Sequence, residues 1–100
     1  MTRHIVDILP HAVAEGREGR DHYLSKSAAV EEGFRKEIER AISLIKEHPE
    51  TWPAYVHGTR RFVLNRFPYS LVYRTDGTYS LIVAVAHAKR RPGYWRSRLR

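Results

Sequence analysis

The dipeptide Asp76-Gly77 constrains this chain most, because β-prone apolar runs flank it: Tyr69–Thr75 before it and Thr78–Ala86 after it. Such a dipeptide between such runs marks a β-hairpin, since a type I′ turn needs positive φ at both central positions and Asp and Gly tolerate it. A turn centred there sets Thr75 opposite Thr78, and the register follows along the ladder. Tyr73 then faces Ser80, Leu71 faces Ile82, Tyr69 faces Ala84, and Arg66 falls opposite His87. The hairpin ends by delivering a histidine among cations, just before the basic tail AKRRPGYWRSRLR. That junction of apolar sheet and cationic exit is the first candidate for a functional surface.

The rest of the chain reads as support for this hairpin. His4–Leu9 is a short strand with Val6 and Ile8 on one side and Ile5, Asp7 and Leu9 on the other. Pro10 cannot extend a ladder but suits a helix start. Over Ala12–Leu24, Gly16 and Gly19 each disfavour a helix by about 1 kcal/mol relative to Ala. Yet Ala12, Gly16, Gly19 and Tyr23 share one helical face, and a face of small residues admits close packing. Ser27 is placed to N-cap a second helix, on which Val30, Phe34, Ile38, Ala41, Ile42 and Ile45 recur at helical spacing. Pro49 ends it near His48.

The turn-rich PETWPAYVHG follows, with Trp52 as a lid on the core edge, and then a strand from Arg60 to Arg66. On it Phe62 and Leu64 face one way, Arg61 and Val63 the other. Past Lys89 the chain turns at Pro92-Gly93 and ends in a short helix or a tail. The order is β-α-α-β-β-β: one α+β domain over residues 1–100, a twisted antiparallel sheet with a helical hairpin on one face. Phe62, Leu71, Val83 and Val85 belong to one core. The other sheet face is left less covered, and must be polar, functional or hidden by a partner.

A formal charge of +7 on 100 residues favours polyanionic partners, namely nucleic acid or an acidic protein segment before an anionic membrane, with solubility as the plain alternative. The chain has no cysteine, which excludes disulfides and thiolate metal sites and fits a reducing cytoplasm. No apolar run approaches the roughly 20 residues of a membrane helix, and MTRHIVDILPH lacks a signal-peptide core. A soluble cytoplasmic domain with nothing to trim is expected. The histidines show no metal-ligand spacing, so no metal is expected and no cofactor is implied.

Three segments carry a family resemblance: FRKEIERAISLIKEHPETWP, then GTRRFVLNRFPYSLVYR, then LIVAVAHAKRRPGYWRSR. Together, and through FPY-x-x-x-YR followed by AVAH-x-x-RRPGYW in particular, the chain resembles toxins of the RelE/ParE superfamily of type II toxin–antitoxin systems. The resemblance implies the same β-α-α-β-β-β fold. It also implies a hetero-oligomer with a cognate, ParD-like antitoxin whose flexible segment wraps the toxin, and a role in plasmid stabilization.

The superfamily divides by target. RelE-like members cleave mRNA on the ribosome with lysines on the second strand, arginines on the third and fourth, and a tyrosine near the end. Carried over by position, Arg61 stands for one lysine, but Val63 and Ser70 occupy two of the other cationic positions. The fourth-strand arginine falls at Ala88, or at His87 if the strand bulges, and Tyr94 fits. A ribonuclease would therefore have to be rebuilt from Arg61, His87, Lys89 and Tyr94. ParE-like members act as inhibitors of DNA gyrase and lack that cationic set, so the departures favour the ParE-like branch and a non-enzymatic inhibitor. A toxin fold that has lost toxicity and persists as a binding module is the third reading.

The target surface expected on either branch comprises Arg60, Arg61, Arg66, His87, Lys89, Arg90, Arg91, Tyr94, Trp95, Arg96 and Arg98, extended by Arg100. Its guanidiniums would grip phosphates or carboxylates and its aromatics would supply anchor area. Each has a plain alternative: His87 as a satisfied strand-end residue, Trp95 folded back on the sheet, Arg60 and Arg61 as a solvated strand end. If the tail engages the target, trimming the chain after Pro92 removes toxicity.

Overall fold

The structure is a computed structural model that describes residues 3–99, so Arg100 lies outside the described residues. Strand β1 (Ile5–Ile8) leads into helix α1 (Pro10–Leu24), then helix α2 (Ala28–Glu47), and the chain closes with strands β2 (Arg60–Val63), β3 (Tyr69–Asp76) and β4 (Tyr79–His87). Proline stands first in α1, where its missing N–H costs nothing. The Ser27 hydroxyl accepts from the Ala29 and Val30 N–H groups and starts α2 as its sequence predicts. Val30 departs from the expected core face: in the first turn it is exposed.

The α+β order is the expected one, but the sheet is mixed. Its strands lie in the order β1-β4-β3-β2, with β1 parallel to β4 and the other pairs antiparallel. The connection 48–59 carries the chain back along the domain before β2 begins, so β2 and β4 run the same way as β1. Strand β2 is shorter than expected. It ends at Val63, and the Leu64 N–H reaches the Tyr69 carbonyl (3.0 Å) as the chain turns through 65–68.

The hairpin register also differs from the expected one. Asp76 stays extended opposite Tyr79, so the turn is Gly77-Thr78. Positive φ falls on Gly77 alone (58°), the pattern of a type II′ turn, which needs glycine only at its first central position. Further along, Tyr73 faces Ile82 but Val72 faces Ala84, which makes Val83 the extra residue of a β-bulge. The two shifts together set Tyr69, rather than Arg66, opposite His87.

The bulge divides the core. Leu71, Tyr73, Ile82 and Val85 point under the helices with Ala12, Phe34, Ala41, Ile45 and Leu64. Val83 belongs elsewhere: with Val72, Ala84 and Trp95 it forms a second cluster on the opposite face, so it does not share a core with Phe62, Leu71 and Val85. That second face, expected to lie open, is closed by the chain itself through Trp95, Tyr55, Tyr94 and Leu99.

The small-residue face of α1 does admit close packing. A Cβ at Gly19 would stand 2.8 Å from the Phe34 ring, whereas one at Gly16 would meet only a Val85 methyl at 4.0 Å. The Phe34 ring is fully buried among Tyr23, Phe67 and Tyr69 and has no room to give. Gly19→Ala is therefore expected to destabilise by about 1–2 kcal/mol, overpacking outweighing the helix gain. Gly16→Ala, free of that clash, is expected to stabilise by up to about 1 kcal/mol. Urea unfolding of the two variants checks the opposite signs.

Candidate functional site

Strand β4 ends at His87, and Ala88–Arg91 beyond it are exposed. Pro92 and Gly93 then reverse the chain. Gly93 sits at φ 83°, and a Cβ there would lie 3.0 Å from His57 Nε2, so the turn admits only glycine. Tyr94 and Trp95 leave it in different directions. The Trp95 indole, 1% exposed, packs on Val72, Val83 and Ala84, with the Tyr55 and His57 rings 6.1 and 5.9 Å away. The Tyr94 hydroxyl instead donates to Glu15 Oε2 on α1 (2.5 Å).

Glu15 is the centre of this border. Arg98 grips it with both nitrogens, Nη1 to Oε1 at 2.9 Å and Nη2 to Oε2 at 3.1 Å. The Val85 N–H also donates to Oε1 (3.0 Å), while Arg98 Nη1 reaches the Val83 carbonyl (3.0 Å). Backbone groups on either side of the bulge are thus satisfied by side chains from α1 and the tail. Burial by itself would raise the Glu15 carboxyl, but hydrogen bonds from Arg98, Tyr94 and Val85, with the Arg98 charge, hold it below the ordinary carboxylate value. Burial first, then the bond to Glu15, pushes the Tyr94 phenol well up.

Sequence reasoning missed Glu15. Its signal was positional: it stands three residues after Ala12 and four before Gly19, on the face that packs.

A hollow of about 100 Å³ opens on the far face of the sheet. Its floor is Ser70, Val72 and Ala86, and Arg61, His87, Arg90, Arg91 and Trp95 stand around it. Register explains the meeting, since Arg61 pairs with Val72 and Ser70 with Ala86. The Arg61 guanidinium lies 4.2 Å above the Tyr55 ring, and that of Arg90 lies 3.8 Å above Tyr94. His87 packs edge-on against Tyr69 (4.9 Å), and its Nδ1 accepts the Lys89 N–H at 3.0 Å. The neutral ring therefore carries its proton on Nε2 and offers a donor there.

The other expected site residues lie elsewhere. Arg60 donates to the Trp52 carbonyl (2.7 Å), and Arg66 pairs with Glu37 on α2 (3.4 Å), on the helical side of the sheet. Arg96 borders a separate shallow groove with His57 and Leu99. Lys89 is exposed beside His87. Trp95 and Arg98 are built into the fold, so trimming the chain after Pro92 would remove a core residue and a part-buried ion pair rather than a free tail.

A family model described as the ParE toxin of the type II toxin–antitoxin system parDE matches residues 6–92. The chain belongs to that family. A solved structure described as the chromosomal ParDE toxin–antitoxin system from P. aeruginosa is similar in fold, with a TM-score of 0.63 and 20% identity, over 87% of this chain and 98% of that one. No curated protein matches the chain. The ParE match ends at Pro92, so Tyr94, Trp95 and Arg98 lie beyond it.

Of the four groups that a ribonuclease would use in this ParE-family chain, three already make contacts and the fourth, Lys89, is exposed. The Tyr94 proton is held by Glu15, the His87 Nδ1 lone pair by Lys89 N–H, and the Arg61 guanidinium face by Tyr55. Among the described residues no cluster of metal-binding side chains occurs.

Glu15→Ala would strand Arg98, Tyr94 and the Val85 N–H together. It is expected to cost about 2–3 kcal/mol in urea unfolding, since loss of one partner leaves a part-buried charge unpaired. Because the folded Glu15 carboxyl lies below its ordinary value near 4.5, its contribution is complete above that pH and is lost as pH falls through the folded pKa. The urea midpoint should therefore drop on acidification in the native chain and drop less in Glu15→Gln.

Proposed function

We propose that this chain is the toxin of a type II toxin–antitoxin pair, that it inhibits DNA gyrase in the cytoplasm, and that a cognate ParD-like antitoxin neutralises it in a hetero-oligomeric complex. The observation that carries the reading is the ParE family match over residues 6–92. The engaged state of Tyr94 and His87 supports an inhibitor over a ribosome-dependent mRNA endoribonuclease.

Two surfaces divide the work. The exposed cations Lys89, Arg90 and Arg91, with Arg61 beside them, face the target. On the helical side a groove of about 240 Å³ opens between α1, α2 and the sheet, lined by Ile8, Val13, Ile38, Ile42 and Val85. Val13 and Ile8 are 42% and 37% exposed there, which suits the apolar side of an antitoxin helix. Arg17, Arg20 and Arg35 outnumber Glu39 on its rim and suit acidic flanks on that helix.

Purified chain added to gyrase is expected to block supercoiling, and induced expression to cause DNA breaks while transcripts stay intact. Cleaved transcripts with normal supercoiling would reverse the assignment in favour of the ribonuclease. Arg90→Glu with Arg91→Glu, both exposed, should weaken gyrase inhibition about tenfold or more through charge reversal at the contact. Unchanged near-ultraviolet circular dichroism would show that the fold is kept.

A further inference from the structure

The hollow between Arg61, Ser70 and Arg91 has a property that the cationic border as a whole does not share: it is shaped. Its floor consists of short side chains, Ser70 and Ala86, set between the large Tyr55 and Trp95. Donor-bearing side chains line it from separate elements: Arg61 from β2, Ser70 from β3, Arg90 and Arg91 from the segment after β4, while the His87 ring turns to Tyr69 on the helical side. No carboxylate lines it. No acidic side chain occurs in the sequence after Asp76. Glu15, which holds the neighbouring Tyr94, is already saturated by Arg98, Tyr94 and the Val85 N–H. Among the described residues, Arg61, Arg90 and Arg91 have no carboxylate partner.

We infer that this hollow is a binding site for a single phosphate group carried on a nucleic-acid strand. A carboxylate presents two oxygens in one plane and is filled by one bidentate guanidinium, whereas a phosphate presents acceptor oxygens on several sides. Donors arriving from three segments match the second shape. The aromatic faces at the site are already covered, Tyr55 by Arg61 and Tyr94 by Arg90. No free ring remains on which a base could stack, so the site reads backbone and not sequence. For a protein acting on an enzyme that holds DNA, such a site would fix the toxin against the strand beside its target.

The inference shares a surface with the gyrase reading but not its assay. Oligonucleotide binding is measured on the purified chain alone and supercoiling on gyrase, so either can fail without the other.

The test measures fluorescence anisotropy of a labelled DNA duplex, and of an RNA of equal length, with the full chain and four variants. Arg61→Gln and Arg91→Gln remove donors, and Arg91 is exposed, so that variant keeps the fold. Ser70→Leu fills the floor without changing charge. Lys46→Gln, at the far end of α2, changes charge away from the hollow. Binding about tenfold weaker in Arg61→Gln, Arg91→Gln and Ser70→Leu, and nearly unchanged in Lys46→Gln, is expected, with the salt slope reduced by about one in each arginine variant. Equal affinity in Ser70→Leu and the native chain would mean that the charges act only as a diffuse patch and would overturn the site. Displacement by inorganic phosphate at equal phosphate concentration would assign it to the free ion. Equal competition by an oligoglutamate peptide would assign it to an acidic protein segment, and either result would overturn the strand.

Discussion

The Glu15 carboxylate holds this structure together at the point where its sheet is irregular. A bulge at Val83 interrupts the β4 ladder just past Ile82, where the adjoining strand β1 has ended and the Leu9 N–H makes the last bond across (3.0 Å). Main-chain groups left on that edge need partners, because an unpaired buried N–H or carbonyl costs about 1–3 kcal/mol. Glu15 supplies the acceptor for Val85 and Arg98 the donor for Val83, and the two side chains neutralise each other. One carboxylate thereby joins the first helix, the central strand and the last turn of the chain. That junction holds Tyr94 and Arg98, the residues on either side of Trp95 in the tail.

The elements were legible wherever their signals were local. Pro10, the Ser27 cap and Pro49 fix helix ends through groups within a turn of themselves, and Gly77 places the hairpin. What failed was register, because register depends on where an extra residue is inserted. In the run Leu81–Ala86 every side chain is apolar, so the alternation that would betray a bulge is absent. The bulge makes both Val83 and Ala84 face away from the helices, and the pattern of the strand carries no mark of it. Parallel pairing of β1 was invisible for a related reason: it is decided by how far the irregular connection 48–59 travels, and no periodicity records that.

The site was legible as a composition and not as a geometry. A run of cations with two aromatics predicts a sticky border, and the border exists. Yet adjacent residues in YWRSR do unlike things: Tyr94 turns to α1, Trp95 to the far face, Arg98 to a part-buried acid, while Arg96 stays in solvent. Sequence order cannot separate these roles, because a glycine turn and a 3-10 turn send neighbouring side chains to different faces. The acid that sorts them lies 79 residues from Tyr94.

Charge distribution completes the argument. Helix α2 carries its own carboxylates, and Lys36, Arg35 and Arg66 find partners among Glu31, Glu32, Glu37 and Glu39. The segment after Asp76 has no acidic side chain, so its cations depend on the carboxylate side chains that the fold brings to them. The fold brings Glu15, and Arg98 takes it. Lys89, Arg90 and Arg91 are left to project from one edge of the sheet, ordered by a turn and by the Tyr94 ring but, among the described residues, without a countercharge of their own. An evenly spread +7 would serve solubility as well as anything else. Because pairing cancels the charge on the helices and leaves it on this edge, the field is concentrated where β2 and β4 end and β3 begins, and an anionic partner is drawn to that place before others.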